Sequence, residues 1–82
     1  MIHIAVVEDN PDLLADLVEF LSLRSFDAHG FDSAEAFFEA WPSLCFDLLL
    51  LDIALPGASG LEVARRVRAQ DNQAGIVMLT GL

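Results

Sequence analysis

The sequence predicts an α/β fold in which one parallel sheet is wound on both faces by helices. Short apolar segments alternate with stretches of helical periodicity, in the order β-α-β-α-β-α-β. The apolar segments, above all "LLLLD", are continuous rather than strictly alternating, as expected of strands covered on both faces. Strand, helix and next strand at such short spacing give parallel neighbours through right-handed crossovers.

The first strand is "IHIAVV", Ile2 to Val7, which ends at the acidic pair Glu8 and Asp9. Asn10 is placed to cap the following helix, with Pro11 at its first position, where a missing N–H costs nothing. Leu13, Leu14, Leu17, Val18 and Leu21 form an apolar stripe that carries this helix to about Arg24. "FDAHGF", Phe26 to Phe31, reads as a strand nearer the sheet edge, and Asp32 followed by Glu35 marks the next helix start. Phe37, Phe38 and Trp41 are its core residues, and Pro42 stops it. "FDLLLLD", Phe46 to Asp52, is the third strand. Ser59 or Gly60 opens a third helix with Leu61, Val63, Ala64 and Val67 inward and Arg65, Arg66 and Arg68 mostly outward. "GIVMLT", Gly75 to Thr80, is the fourth strand; its Ile76, Val77, Met78 and Leu79 are expected to lie open along an edge.

Eighty-two residues make one small domain, yet 55% of them are hydrophobic and the mean hydropathy is +0.52. That is more apolar surface than so small a globule hides easily, so part of it is expected to face a partner. No apolar stretch approaches the roughly 18 residues that cross a bilayer, and "MIHIAVVEDN" lacks a basic leader, so a cytoplasmic chain without membrane contact is expected. Thirteen acids face four arginines and no lysine, for a net charge of −9, which argues against direct binding of nucleic acid. Cys45, the single cysteine, excludes an internal disulfide and is expected to be a buried or half-buried apolar residue.

Four polar residues terminate strands: Glu8 and Asp9 the first, Asp52 the third, Thr80 the fourth. All four should emerge at the carboxyl edge of the sheet, where ligands of open α/β sheets bind. Three carboxylates gathered there repel one another, and a hard divalent cation such as Mg²⁺ relieves that repulsion with oxygen ligands. Taken alone, Glu8 and Asp9 are explained by helix capping; together with Asp52 and Thr80 they point to a site. His3 and His29 stand at mismatched strand positions and are assigned no catalytic role.

On "VVEDN", "LLLLDIALPGASG" and "IVMLTG" the chain resembles the receiver domain of two-component response regulators, over Ile2 to Gly81. The resemblance implies a flavodoxin-like, doubly wound parallel sheet with strand order 2-1-3-4. It implies that Asp52 accepts a phosphoryl group from a sensor histidine kinase or a small phosphodonor, making the chain a phosphoacceptor signalling domain rather than an enzyme with turnover. Asp9, Asp52 and the backbone carbonyl of Ala54 would hold Mg²⁺, with Glu8 acting through a coordinated water. Thr80 would be the switch hydroxyl, the N–H groups of Ala54 and Gly81 would bind the phosphoryl group, and Pro56, Gly57 and Gly60 would shape the loop.

Members of that family carry a fifth strand ending in a lysine, and two further helices. The 82 residues hold no lysine and read as the amino-terminal portion of such a domain, so switching is expected to be impaired and the uncovered face and fourth strand to favour self-association. Two rival readings are a phosphorylation-independent dimerisation module and a phosphohydrolase. The second is disfavoured because Ala54 occupies the position of the acid two residues after the nucleophile.

Overall fold

In the computed structural model, which describes residues 1–41, 45–53, 55, 59–70 and 73–79, the apolar segments form four parallel strands in the order β2-β1-β3-β4. The strands are β1 (His3–Val7), β2 (Asp27–Phe31), β3 (Leu48–Asp52) and β4 (Gly75–Leu79), alternating with the helices α1 (Pro11–Leu23), α2 (Ala34–Ala40) and α3 (Gly60–Ala69). This is the predicted architecture and strand order. Three strands begin later than expected, because pairing starts only at His3, Asp27 and Leu48.

Central position accounts for the burial of β1. Ile4, Ala5, Val6 and Val7 are all buried, since β1 has a strand on each side and covered faces. Ala5 and Val7 join Leu49 and Leu51 of β3 in a core closed by Ala34 and Phe37 of α2 and Val63 and Val67 of α3. Phe37 is the centre of this layer: its ring lies 5.6–5.8 Å from those of Phe31, Phe46 and Trp41 and 5.3 Å from that of Phe38. The aromatic residues predicted as core are therefore core, while the predicted stop at Pro42 lies outside the described residues.

Helix starts follow capping chemistry. Asn10 Oδ1 accepts the N–H groups of Asp12 and Leu13 at 3.0 and 3.2 Å, as expected. The second helix is capped by Ser33 rather than Asp32, with Ser33 Oγ accepting from Ala36 at 3.1 Å. Ser59 caps the third through Glu62 N–H at 3.2 Å, and Gly60 is its first residue. Helix α1 crosses β2 closely because Gly30 has no side chain: a Cβ there would stand 2.9 Å from Val18 Cγ2 and 3.0 Å from Leu14 Cδ1.

Several expected inward or outward assignments are corrected. Leu61 is 54% exposed, because Val63 and Val67 define the buried stripe of α3 and Leu61, two residues before Val63, projects almost opposite to it. Cys45 is exposed ahead of β3 rather than packed. On β4, Ile76 and Met78 pack against the core, so only the alternate face is open there, with Val77 44% exposed. No helix among the described residues is long and apolar enough to cross a membrane.

Burial of Val67 makes a direct test of the core. Val67→Ala should destabilise the chain by about 2 kcal/mol, the transfer cost of two methyl groups at about 0.8 kcal/mol each plus a small cavity term. Urea unfolding followed by Trp41 fluorescence reads this loss.

Candidate metal and phosphoacceptor site

Strand β1 and strand β3 are hydrogen-bonded neighbours with Val7 opposite Leu51, so the residues that follow them, Glu8, Asp9 and Asp52, come together at one end of the sheet. Carboxylate oxygens of all three lie within 4.8 Å of one another. Glu8 is only 4% exposed, Asp52 is half-buried and Asp9 is open to solvent. Glu8 is the buried charged residue of the described structure, and its backbone continues the ladder by donating to Phe31 O at 3.0 Å.

Electrostatics mark this end as strained in charge. Burial pushes the Glu8 carboxyl above the ordinary glutamate value, and a hydrogen bond with Asp52 and the charges of Asp52 and Asp9 push the same way. The Asn10 N–H, which reaches Glu8 Oε1 at 3.2 Å, opposes the rise. Three oxygen donors at this separation, one of them buried and with its proton affinity raised by that burial and by its acidic neighbours, are a donor set suited to a hard divalent cation. Mg²⁺ fits: it prefers carboxylate and water ligands and retains waters on its open side, which exposed Asp9 permits.

The loop after β3 is tied back by backbone. Gly60 N–H donates to Ile53 O at 2.7 Å, and Ile53 N–H extends the β3–β4 ladder to Leu79 O at 3.4 Å. A Cβ on Gly60 would stand 2.3 Å from the Asp52 carbonyl oxygen and 2.8 Å from Ile53 Cα. Both neighbours are backbone, so they cannot swing aside, and any side chain at position 60 must push α3 away from the end of β3. Gly60→Ala should therefore displace Asp52 and weaken Mg²⁺ binding by roughly 10–100-fold, the usual cost of disturbing what orients a metal ligand. Calorimetric Mg²⁺ titration of the variant checks this.

Of the residues predicted for the site, Glu8, Asp9, Asp52 and Gly60 are brought together. Ala54, Pro56, Gly57, Thr80 and Gly81 lie outside the described residues. Arg65 and Arg66 are engaged elsewhere, Arg65 3.9 Å from Glu62 and Arg66 with its guanidinium 3.8 Å over the ring of Phe38. Sequence reasoning missed one grouping: His3 and His29, set aside as mismatched, converge on Asp27, because the parallel register places His3 directly opposite Asp27. Hydrogen bonds from His29 and His3 hold the Asp27 carboxyl below the ordinary aspartate value.

Comparison with known proteins agrees with this geometry. The family model of the response regulator receiver domain matches residues 4–82. The transcriptional regulatory protein FixJ of Bradyrhizobium diazoefficiens is 34% identical over 79 residues, covering 96% of this chain and 38% of its own length. The receiver protein CpdR of Brucella abortus is 33% identical, covering 99% of this chain and 68% of its own. Among solved structures, response regulator TrrA of Thermotoga maritima in complex with Mg²⁺–BeF superposes with a TM-score of 0.87 at 35% identity, over 95% of this chain and 68% of that one. The same regulator in complex with histidine kinase ThkA gives 0.89 at 36% identity, over 99% and 70%. The chain thus spans little more than a third of FixJ and about two thirds of CpdR and TrrA. By family match, strand order and the gathering of its acidic residues, the chain belongs to the response regulator receiver domains of two-component systems.

Proposed function

We propose that this chain accepts a phosphoryl group on Asp52 from the phosphohistidine of a sensor histidine kinase, or from a small phosphodonor, in the cytoplasm. The observation that carries the reading is the convergence of three carboxylates at the end of β1 and β3, with a Glu8 whose proton affinity is raised by burial and then by its acidic neighbours. Support for the donor and the metal comes from TrrA, a relative solved with Mg²⁺–BeF and with its histidine kinase.

Asp9 and Asp52, with the carbonyl of Ala54, would hold Mg²⁺, and Glu8 would reach it through a coordinated water. When bound, Mg²⁺ offsets the negative charge shared by the carboxylates and the incoming phosphoryl oxygens. The Asp52 carboxylate oxygen is the nucleophile: a new O–P bond forms, the P–N bond of the donor breaks, and the electron pair leaves with the imidazole nitrogen. The product is an acyl phosphate, a reactive anhydride suited to a transient signal. Thr80 would donate its hydroxyl to the phosphoryl group, and the N–H groups of Ala54 and Gly81 would add donors, with Pro56 and Gly57 setting the turn.

Incubation with acetyl phosphate tests the proposal. Intact mass should show one phosphoryl adduct that forms with Mg²⁺, fails to form with chelator, and is removed by hydroxylamine. No adduct under any of these conditions contradicts it.

A second reading concerns association. Strand β4 pairs on one side only among the described residues, and Val77 on it is 44% exposed while Leu48 and Leu50 on β3 are only half-buried. Such an edge and face favour pairing of two copies of this chain. Light scattering at micromolar concentration should give a mass above that of the monomer; a stable monomer refutes it.

A further inference from the structure

We infer that His3, Asp27 and His29 form a second metal site, for a divalent transition-metal ion with Zn²⁺ as the best match, at the edge of the sheet opposite the acidic cluster. The inference stands independently of the phosphoacceptor reading, since it uses the amino-terminal ends of the strands.

Register builds the grouping. His3 is the Cα partner of Asp27, and His29 lies two residues along β2, so the three side chains share one face of two hydrogen-bonded strands. That face carries Ala5 of β1 and Phe31 of β2 further along, both packed in the core layer, which fixes the backbone beneath the site. The amino-terminal end of β1 is also clamped: His3 N–H donates to Asp47 Oδ2 at 2.9 Å, and Asp27 N–H donates to Ile2 O at 2.9 Å.

The separations match a small tetrahedral ion. Bonds of about 2.0–2.1 Å to Zn²⁺ place ligand atoms about 3.3 Å apart. His29 Nε2 is 3.3 Å from Asp27 Oδ2, and His3 Nδ1 is 2.7 Å from the same oxygen. All three ligand atoms fall within 4.8 Å of one another. The His3–Asp27 contact has to open by about 0.6 Å to reach that ligand spacing, and the two imidazoles, within 4.8 Å of each other, adjust with it, which the 43% exposure of the His3 side chain allows. The side chains of Asp27 and His29 are 37% and 45% exposed, which gives an ion a route in and leaves its remaining position to water.

Ligand type separates the two sites. Two imidazoles and one carboxylate favour Zn²⁺, Cu²⁺ or Ni²⁺, whereas the oxygen-only cluster of Glu8, Asp9 and Asp52 favours Mg²⁺. A bound Zn²⁺ would staple the edge strand β2 to β1 and stabilise the folded chain by mass action.

Calorimetric titration of the full chain with Zn²⁺ in excess Mg²⁺ tests this. Wild type should bind one Zn²⁺, and His3→Gln and His29→Gln should each weaken it by about tenfold or more, while Asp52→Asn leaves it unchanged. The ring nitrogen resonances of both histidines should shift on addition of Zn²⁺. His29 lies on the edge strand and is exposed, so His29→Gln keeps the fold and decides the matter even if His3→Gln unfolds; circular dichroism verifies this. Absence of Zn²⁺ binding in wild type, binding unaffected by His29→Gln, or binding lost in Asp52→Asn would overturn the inference.

Discussion

Asp52→Asn should abolish phosphoryl uptake from acetyl phosphate while leaving the fold intact. The substitution is nearly isosteric, and an asparagine can still meet Glu8 by hydrogen bonding, so β3 and its neighbours have no reason to move. What is lost is the nucleophile, because an amide oxygen has little tendency to attack phosphorus and an amide leaves no stable anhydride. Asp9 is the informative control. Asp9→Asn removes an exposed carboxylate of the same cluster but not the nucleophile, so uptake should slow and demand more Mg²⁺ rather than vanish. Intact mass spectrometry after timed exposure separates these outcomes. An adduct that persists in Asp52→Asn and maps to Glu8 or Asp9 would assign the wrong carboxylate.

The second large effect is stabilisation by metal. Mg²⁺ that binds the folded cluster and not the unfolded chain contributes roughly 2.7 kcal/mol at one hundred times its Kd, or about 10–20 °C in melting temperature for a domain of this size. Glu8→Gln should change this pattern in a specific way. The metal-free variant should be more stable than wild type, by on the order of 1 kcal/mol, because a buried carboxyl burdened by desolvation and by Asp52 is replaced with a neutral amide. Its gain from Mg²⁺ should shrink.

The pH dependence has a definite sign. The folded chain holds the Glu8 proton more tightly than the unfolded chain does, so in the window above the ordinary glutamate value the folded state binds more protons. Stability of metal-free wild type should therefore fall as pH rises through that window, and Glu8→Gln should remove this component. Asp27 acts oppositely: its lowered value contributes stability that is present above the ordinary aspartate range and lost as pH falls below it. The two windows lie on opposite sides of the usual carboxylate range, so thermal melts across pH resolve them.

Much of this architecture is legible locally. The run Leu48 to Leu51 can be little other than a strand, although only its Leu49 and Leu51 face is fully buried while Leu48 and Leu50 stay half-buried, and Asn10–Pro11 states a helix start in two residues. The acidic cluster is legible for the same reason: its members are the first polar residues after apolar runs, and parallel strands bring such positions to one edge. What local reading resolves poorly is a choice between equivalent neighbours. Asp32 and Ser33 are both good caps, and Ser33 takes the role because Ala34 and Phe37 are the residues that α2 turns toward the core. Leu61 is apolar yet exposed, since helix phase is set by Val63 and Val67 and not by composition.

The histidines illustrate a different limit. His3 and Asp27 are 24 residues apart, and nothing in either segment states which residue of one faces which of the other. It is the parallel register of β1 and β2 that brings His3, Asp27 and His29 together, while Gly30 on the same strand admits Leu14 and Val18 of α1. Gly60 belongs to the same class. A glycine after a turn is ordinary in sequence, and its necessity appears only when the Asp52 carbonyl is found 2.3 Å from where a Cβ would stand.

The most direct test of the phosphoacceptor site is binding of beryllofluoride, a mimic of the phosphoryl group, followed by fluorine NMR in wild type and Asp52→Asn. The account predicts a protein-bound fluoride signal in wild type that requires Mg²⁺ and is absent from the variant. No bound signal in wild type with Mg²⁺ present, or an equal signal in Asp52→Asn, would contradict it.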